Sequence, residues 1–207
     1  MPTLIATELT LAQLRDRFGI TRSSEANFFT EWLAPYEEIT EAEQTALDRV
    51  QQNYLSQLDI QSLNEETVKM VVVSQLLDIA GFYRYPFIID SEVSIEIQDT
   101  DGNGVALSGR IDTLIVKNRL WILIVESKRS RFSVQTAVPQ ALAYLLAKPQ
   151  IAQPGYALIT NGGEFLFIKL LGQESPSYDF SDTFSLLNRG NDLFKVLCVL
   201  KRIAAEL

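Results

Sequence analysis

Asp112, Glu126 and Lys128 are residues whose types and spacing could do chemistry together. They sit in or beside two apolar runs, Ile111 to Val116 and Leu120 to Val125, separated by Lys117-Asn118-Arg119. Rich in Ile, Leu and Val, these runs read as adjacent, largely buried strands of a hairpin, where plain core strands would carry no charge. Successive side chains on a strand point to opposite faces, so Glu126 and Lys128 share a face about 7 Å apart, and Ser127 points the other way. Two carboxylates supply hard oxygen ligands for Mg²⁺, which keeps waters for the substrate side. Such an ion activates water and stabilises charge on a phosphodiester, while an ammonium positions the nucleophile or stabilises developing charge. A salt bridge of Lys128 with Glu126 or Asp112 at a sheet edge would use the same residues, and spacing alone leaves both readings open.

The hairpin register decides whether Asp112 joins the other two. If residue 117 opposes 121, then 112 opposes 126 and all three share a face. That register needs either a three-residue loop of Asn118, Arg119 and Leu120, or a bulge. A plain two-residue turn at Asn118-Arg119 puts Asp112 on the wrong face.

Several further elements must position this hairpin. Thr10 caps a short helix through Phe18 that Gly19 stops, Ser24 to Leu33 suggests a second, and Thr40-Glu41-Ala42-Glu43 is a capping box opening a third. Residues 1–60 therefore read as a helical extension packed on a core formed by residues 61–207. A helix from Asn64 to Ala80 is nearly all apolar below its first turn, where Glu65 and Glu66 suit the helix dipole. Phe87 to Gln98 alternates as an antiparallel strand, with Glu92 expected on its exposed face. Asp99 to Gly104 matches only half a calcium loop, because Arg110 stands where the bidentate Glu should be, so a hairpin turn is expected there. Pro139 sets the start of the regular part of a helix reaching Lys148, with Gln140 and Tyr144 one turn apart on one face and Lys148 solvated. Two strands flank Asn161-Gly162-Gly163. A polar loop over 172–183 precedes a closing amphipathic helix, Asn191 to Glu206.

Composition excludes several chemistries. With 207 residues, 47% hydrophobic, the chain is long enough for one ordinary domain with a decorating segment. It contains no histidine, which removes Ser-His-Asp and Cys-His catalysis and His-based zinc sites. Its single cysteine, Cys198, cannot form an internal disulfide, which suits a reducing cytoplasm. No apolar run approaches the roughly 20 residues of a membrane span, and no secretory signal pattern is expected at the amino terminus. A phosphate-binding GxxxxGK[ST] loop is also missing, so an ATP-driven motor would have to be another polypeptide. Eighteen basic against 26 acidic residues give a net charge of −8, unusual for a nucleic-acid binder. The local basic run Lys128-Arg129-Ser130-Arg131 works against that sum.

Asp112 followed by Glu126-Ser127-Lys128 resembles the D…(D/E)xK signature of restriction-endonuclease-like nucleases. Gln140-Ala-Leu-Ala-Tyr144 is similar to the QxxxY motif of the branch containing the N-terminal domain of type I restriction enzyme R subunits. Asn64-Glu65-Glu66-Thr67 at a helix start and Ile159-Thr160-Asn161-Gly162 before a strand extend the likeness over about residues 60–171. Ile111 departs from it, standing where the family often has proline, a residue a buried strand accommodates poorly. The resemblance implies an α/β fold with a restriction-endonuclease-like core, a mixed and mostly antiparallel sheet flanked by helices. It also implies Mg²⁺- or Mn²⁺-dependent hydrolysis of DNA, with Asp112, Glu126 and Glu65 as metal ligands. Lys128 would then assist water attack, with Gln140 and Tyr144 completing the catalytic set. DNA is the expected partner, along with restriction-system subunits that supply a motor or specificity, and a homodimer is compatible with the pattern. A non-catalytic interaction or weak DNA-binding module on the same fold is the alternative, and a structural domain docking through residues 1–60 is a third reading.

Overall fold

The two apolar runs do pair, and the sheet grows outward from them. The computed structural model describes residues 3–98, 106–117, 120–148, 153–172 and 175–205. Its first elements are β1 (Thr3–Ile5), α1 (Leu11–Phe18), β2 (Thr21–Arg22), α2 (Thr30–Leu33) and α3 (Glu41–Leu58). A helix in three parts follows: α4 (Glu65–Val68), a π-helical segment (Lys69–Val73) and α5 (Ser74–Ile79). Next come β3 (Phe87–Gln98), β4 (Ala106–Lys117), β5 (Leu120–Ser127), α6 (Val138–Leu146) and β6 (Gly155–Thr160). The chain closes with β7 (Glu164–Leu171), β8 (Ser177–Phe180), β9 (Phe184–Ser185) and α7 (Leu193–Ala205).

Among the described residues these strands form one sheet ordered β1-β4-β5-β6-β7-β8-β2, with β3 also on β4 and β9 on β7. Five pairings are antiparallel, and β1–β4, β5–β6 and β2–β8 are parallel. The fold is thus the expected mixed, mostly antiparallel sheet flanked by helices. Alternation along β6 and β7 serves both faces. Tyr156, Leu158, Phe165 and Phe167 pack toward α3, α5 and α7. Ala157, Ile159, Leu166 and Ile168 pack toward α1 and α6. With both faces covered, these strands bury nearly every side chain, and each large one contributes roughly 1.5–3 kcal/mol. Cys198 is buried in α7, as its apolar setting implied.

Helix boundaries follow local chemistry. Thr10 and Thr40 each close a capping box, and Gly19 ends α1 in the left-handed conformation. Asn64 caps α4 by accepting from the Thr67 N–H at 2.8 Å. Between Pro139 and Leu146 every residue but the proline is buried, as a helix laid on a sheet requires.

Residues 1–60 are not purely helical, which corrects the expectation. β1 pairs with β4 and β2 with β8, so this region supplies the strands at both ends of the sheet path. Strands of three and two residues carry no alternation to read. The helix expected over Ser24 to Leu33 is only Thr30–Leu33. Phe29 and Glu31 both bury, and residues two apart do not share a helical face. Glu31 is held there by Lys169 at 2.5 Å and by the Tyr156 hydroxyl. The stretch 172–183, read as loop, contains β8. The Asp99–Gly104 turn lies outside the described residues.

The turn at Asn161 to Gly163 fits closely against α3. The Asn161 side-chain oxygen accepts from the N–H groups of Gly163 and Glu164, and Gly162 has φ +86°. A Cβ on Gly162 would lie 2.6 Å from the Tyr54 ring. Gly162→Ala should therefore destabilise the protein by about 1–3 kcal/mol, through left-handed backbone and overlap together. Urea unfolding would measure it, and an unchanged midpoint would contradict this packing.

Candidate active site

The condition on register is met by a bulge. Lys117 pairs with Leu120 and Val116 with Trp121, but Ile115 pairs with Leu123, so β5 holds one extra residue. The three-residue loop is thereby excluded, since Leu120 is already paired. Beyond the bulge Thr113 pairs with Val125, and continuing by one puts Asp112 opposite Glu126.

The strands diverge here. On one side of β4, β1 pairs with residues 106–108 and β5 starts its pairing at Thr113, leaving Gly109 to Asp112 without a strand partner on that side among the described residues. Side chains take over the hydrogen bonding. Asp112 Oδ2 accepts from the Ser127 N–H at 2.7 Å, and the Arg110 carbonyl accepts from the Tyr144 hydroxyl at 3.0 Å. Across the strand, Lys128 N–H donates to the Thr160 carbonyl at 2.7 Å, tying the Lys128 backbone to β6 just before the Asn161 turn.

The gap opens a cleft of about 670 Å³ whose lining includes Glu65, Asp112, Glu126, Lys128, Gln140 and Tyr144. All six residues expected from sequence thus face one cavity. Glu126 is its centre. It is 1% exposed, and its Oε1 accepts from Lys128 Nζ and from Gln140 Nε2, both at 2.6 Å. Its Oε2 is buried without a hydrogen-bond partner among the described residues. Burial pushes Glu126 up to about 7, with the Asp112 charge adding to the shift and Lys128 opposing it.

At the wall of this cleft Gln140 holds Glu126, and Tyr144 backs Gln140. Gln140 Nε2 also donates to the Tyr144 hydroxyl at 2.8 Å, so a chain runs from Glu126 through Gln140 and Tyr144 to the β4 backbone. Burial, reinforced by the Glu126 charge, raises Tyr144 to about 12 and keeps its proton on the ring oxygen. Gly109 makes room for this ring: a Cβ there would lie 2.6 Å from Tyr144 Cε1.

Glu65 lines the cleft, and its charge contributes to the Glu126 shift. The three-carboxylate shell expected with Asp112 and Glu126 is nonetheless not assembled. Among the described residues no group of three or more acidic or cysteine side chains is gathered closely enough to hold a metal. Two carboxylates, Asp112 and Glu126, are what these elements bring together. Oxygen donors alone suit a hard cation such as Mg²⁺ or Mn²⁺, and the unpartnered Glu126 oxygen is a lone pair for it.

Sequence reasoning missed Lys69. Its Nζ lies 3.0 Å from Glu92, 3.1 Å from Glu66 and 3.4 Å from Asp112 Oδ1. Burial alone would lower the Lys69 pKa, but Glu92, Asp112 and Glu66 outweigh it and hold the amine above the ordinary lysine value. Glu92 is exposed, as expected, and from that face it pairs with Lys69 and also meets Arg110 at 2.6 Å. It does so with φ +56° in mid-strand, a rare state for a residue with a Cβ that costs on the order of 1–3 kcal/mol. The one available signal was Lys69's spacing, four residues from Glu65 on one helix face. Lys148, expected in solvent, is buried and donates to the carbonyls of Gln153 and Pro154, and that burial lowers it to about 8.

No protein-family model matches the chain, and no curated protein does. Among solved structures it is similar to a fragment described as an HsdR subunit of a type I restriction enzyme from Vibrio vulnificus YJ016. That likeness has 23% identity and a TM-score of 0.41, over 67% of this chain and 26% of the other. The chain thus spans about a quarter of that protein, and a likeness of this size bears on neither activity nor partners. Among the described residues no helix is long and apolar enough to cross a membrane.

A carboxyl whose pKa is raised on folding binds its proton more tightly in the folded state. Its contribution to metal-free stability is full below the ordinary value of 4.5 and is lost as pH rises through about 7. Glu126→Gln stays neutral throughout, so it should melt above wild type at pH 8, by on the order of 1–3 kcal/mol, and converge with it near pH 5. Thermal melts across that range in chelator check this, and parallel curves would contradict it.

Proposed function

We propose that this cleft hydrolyses phosphodiester bonds in DNA with a bound Mg²⁺ or Mn²⁺. The observation that carries the reading is the buried, unpartnered Glu126 oxygen beside a second carboxylate and a lysine. Burying a carboxylate oxygen without a partner costs several kcal/mol unless a ligand completes it. In this reading Asp112 and Glu126 hold the ion, with Glu65 close enough to add its charge. A bound ion supplies Lewis acidity to the attacking water and to the phosphodiester.

The chain's own residues do the rest. Lys128, whose ammonium sits on Glu126 at 2.6 Å, stabilises negative charge developing on the phosphate. Gln140 and Tyr144 are positioning residues that fix the Glu126 carboxylate against β4. Arg129 and Arg131, exposed just beyond Lys128, give the cleft a basic margin for the DNA backbone. The sequence resemblance adds the proposal that other restriction-system subunits supply a motor or specificity. The net charge of −8 favours a second reading, a non-catalytic interaction module on the same scaffold.

Metal titration with a cleavage assay separates the two. Wild type should bind Mn²⁺ and cut DNA, and Asp112→Ala should lose both. Lys128→Met should retain metal but cut at least about 100-fold more slowly, the size of effect one electrostatic stabiliser carries. Binding of neither ion at millimolar concentration, with DNA present, would reject the nuclease reading and leave the interaction module.

A further inference from the structure

Lys69 is the one cation among the described residues that ion-pairs with Asp112, and it comes from a different element than the strands forming the site. It enters from the helix that starts at Glu65, at the first residue of the π-helical segment, where Ser74 N–H reaches back five residues to the Lys69 carbonyl. Such wider turns recur where a helix must aim a side chain at a functional site. The Lys69 side chain is only 18% exposed, and three carboxylates surround its ammonium: Asp112 inside the cleft, Glu66 and Glu92 toward solvent.

Both Asp112 oxygens therefore have a polar neighbour. One oxygen accepts from the Ser127 main chain and the other faces Lys69. An ammonium 3.4 Å from that second oxygen opposes, by charge, a divalent ion binding there.

We infer that Lys69 is a built-in competitor of the metal: its charge lies against Asp112 in the metal-free site and, when the ion binds, draws back from Asp112 while keeping Glu66 and Glu92, which it already contacts. The inference rests on the metal reading above. Glu66 and Glu92 give the displaced ammonium a seat without leaving the protein. Glu92 takes up its unusual left-handed backbone at the position in β3 that faces Asp112 across the strand pair. Competition of this kind raises the metal concentration the site needs, and it does so reciprocally, since bound metal loosens Lys69 from Asp112 by the same factor.

The test is calorimetric titration of MnCl₂ into the full chain as wild type, Lys69→Gln, Lys69→Arg and Asp112→Ala. Lys69→Gln should bind Mn²⁺ at least about fivefold more tightly than wild type, whereas Lys69→Arg, which keeps the charge, should stay within about twofold. Lys69→Met serves as a second neutral variant, and saturating Mn²⁺ should raise the melting temperature of both neutral variants more than that of wild type. Binding in Lys69→Gln where wild type shows none also supports the competitor. Equal affinity in wild type and Lys69→Gln, with loss in Asp112→Ala, overturns the inference and leaves the metal site standing. Absence of Mn²⁺ binding in every variant overturns both.

Discussion

A buried carboxylate with one oxygen left unpartnered among the described residues is the constraint that organises this protein. Moving a charged carboxylate out of water is costly, and proteins tolerate it only with good partners or with the charge neutralised. Among the described residues Glu126 has partners on one oxygen, Lys128 and Gln140, and none on the other. Burial first, then the neighbouring Asp112 charge, push its pKa up to about 7 against the pull of Lys128. The surrounding structure makes sense as a frame that holds this group where a cation can reach it.

That frame is a controlled failure of strand pairing. β1 and β5 each take part of the same side of β4, and Gly109 to Asp112 lies between them. In a closed sheet the backbone there would be satisfied by a neighbour. Here the Asp112 side chain takes the Ser127 N–H and the Tyr144 hydroxyl takes the Arg110 carbonyl. The groups that seal the gap are thus part of the site, and α6 is placed where Gln140 links Tyr144 to Glu126. Gly109 is small because the Tyr144 ring lies over it.

How much of this could be read in the sequence depends on how local each cause is. Thr40, Asn64, Gly19 and Pro139 set helix ends through neighbours three or four residues away, and those boundaries are where the residues put them. Asp112, Glu126 and Lys128 stood out because a strand period puts charge where apolar residues belong. The bulge was legible only as a condition, since no turn residue marks it and its need comes from the far end of the hairpin. Lys69 and Lys148 look like ordinary solvated lysines along the chain. Their burial comes from where distant segments land, and that is not encoded within a helical turn. The short strands β1, β2 and β8 form because a partner strand offers an edge, not through any pattern of their own.

The central claim is that Asp112 and the free oxygen of Glu126 together form a cation site. Anomalous diffraction from a crystal grown in Mn²⁺ tests it most directly. The account predicts one strong peak within about 2.0–2.5 Å of both Asp112 Oδ1 and Glu126 Oε2, with Lys69 drawn away from Asp112. A cleft with no peak at saturating Mn²⁺, or a peak that avoids Glu126, would contradict it.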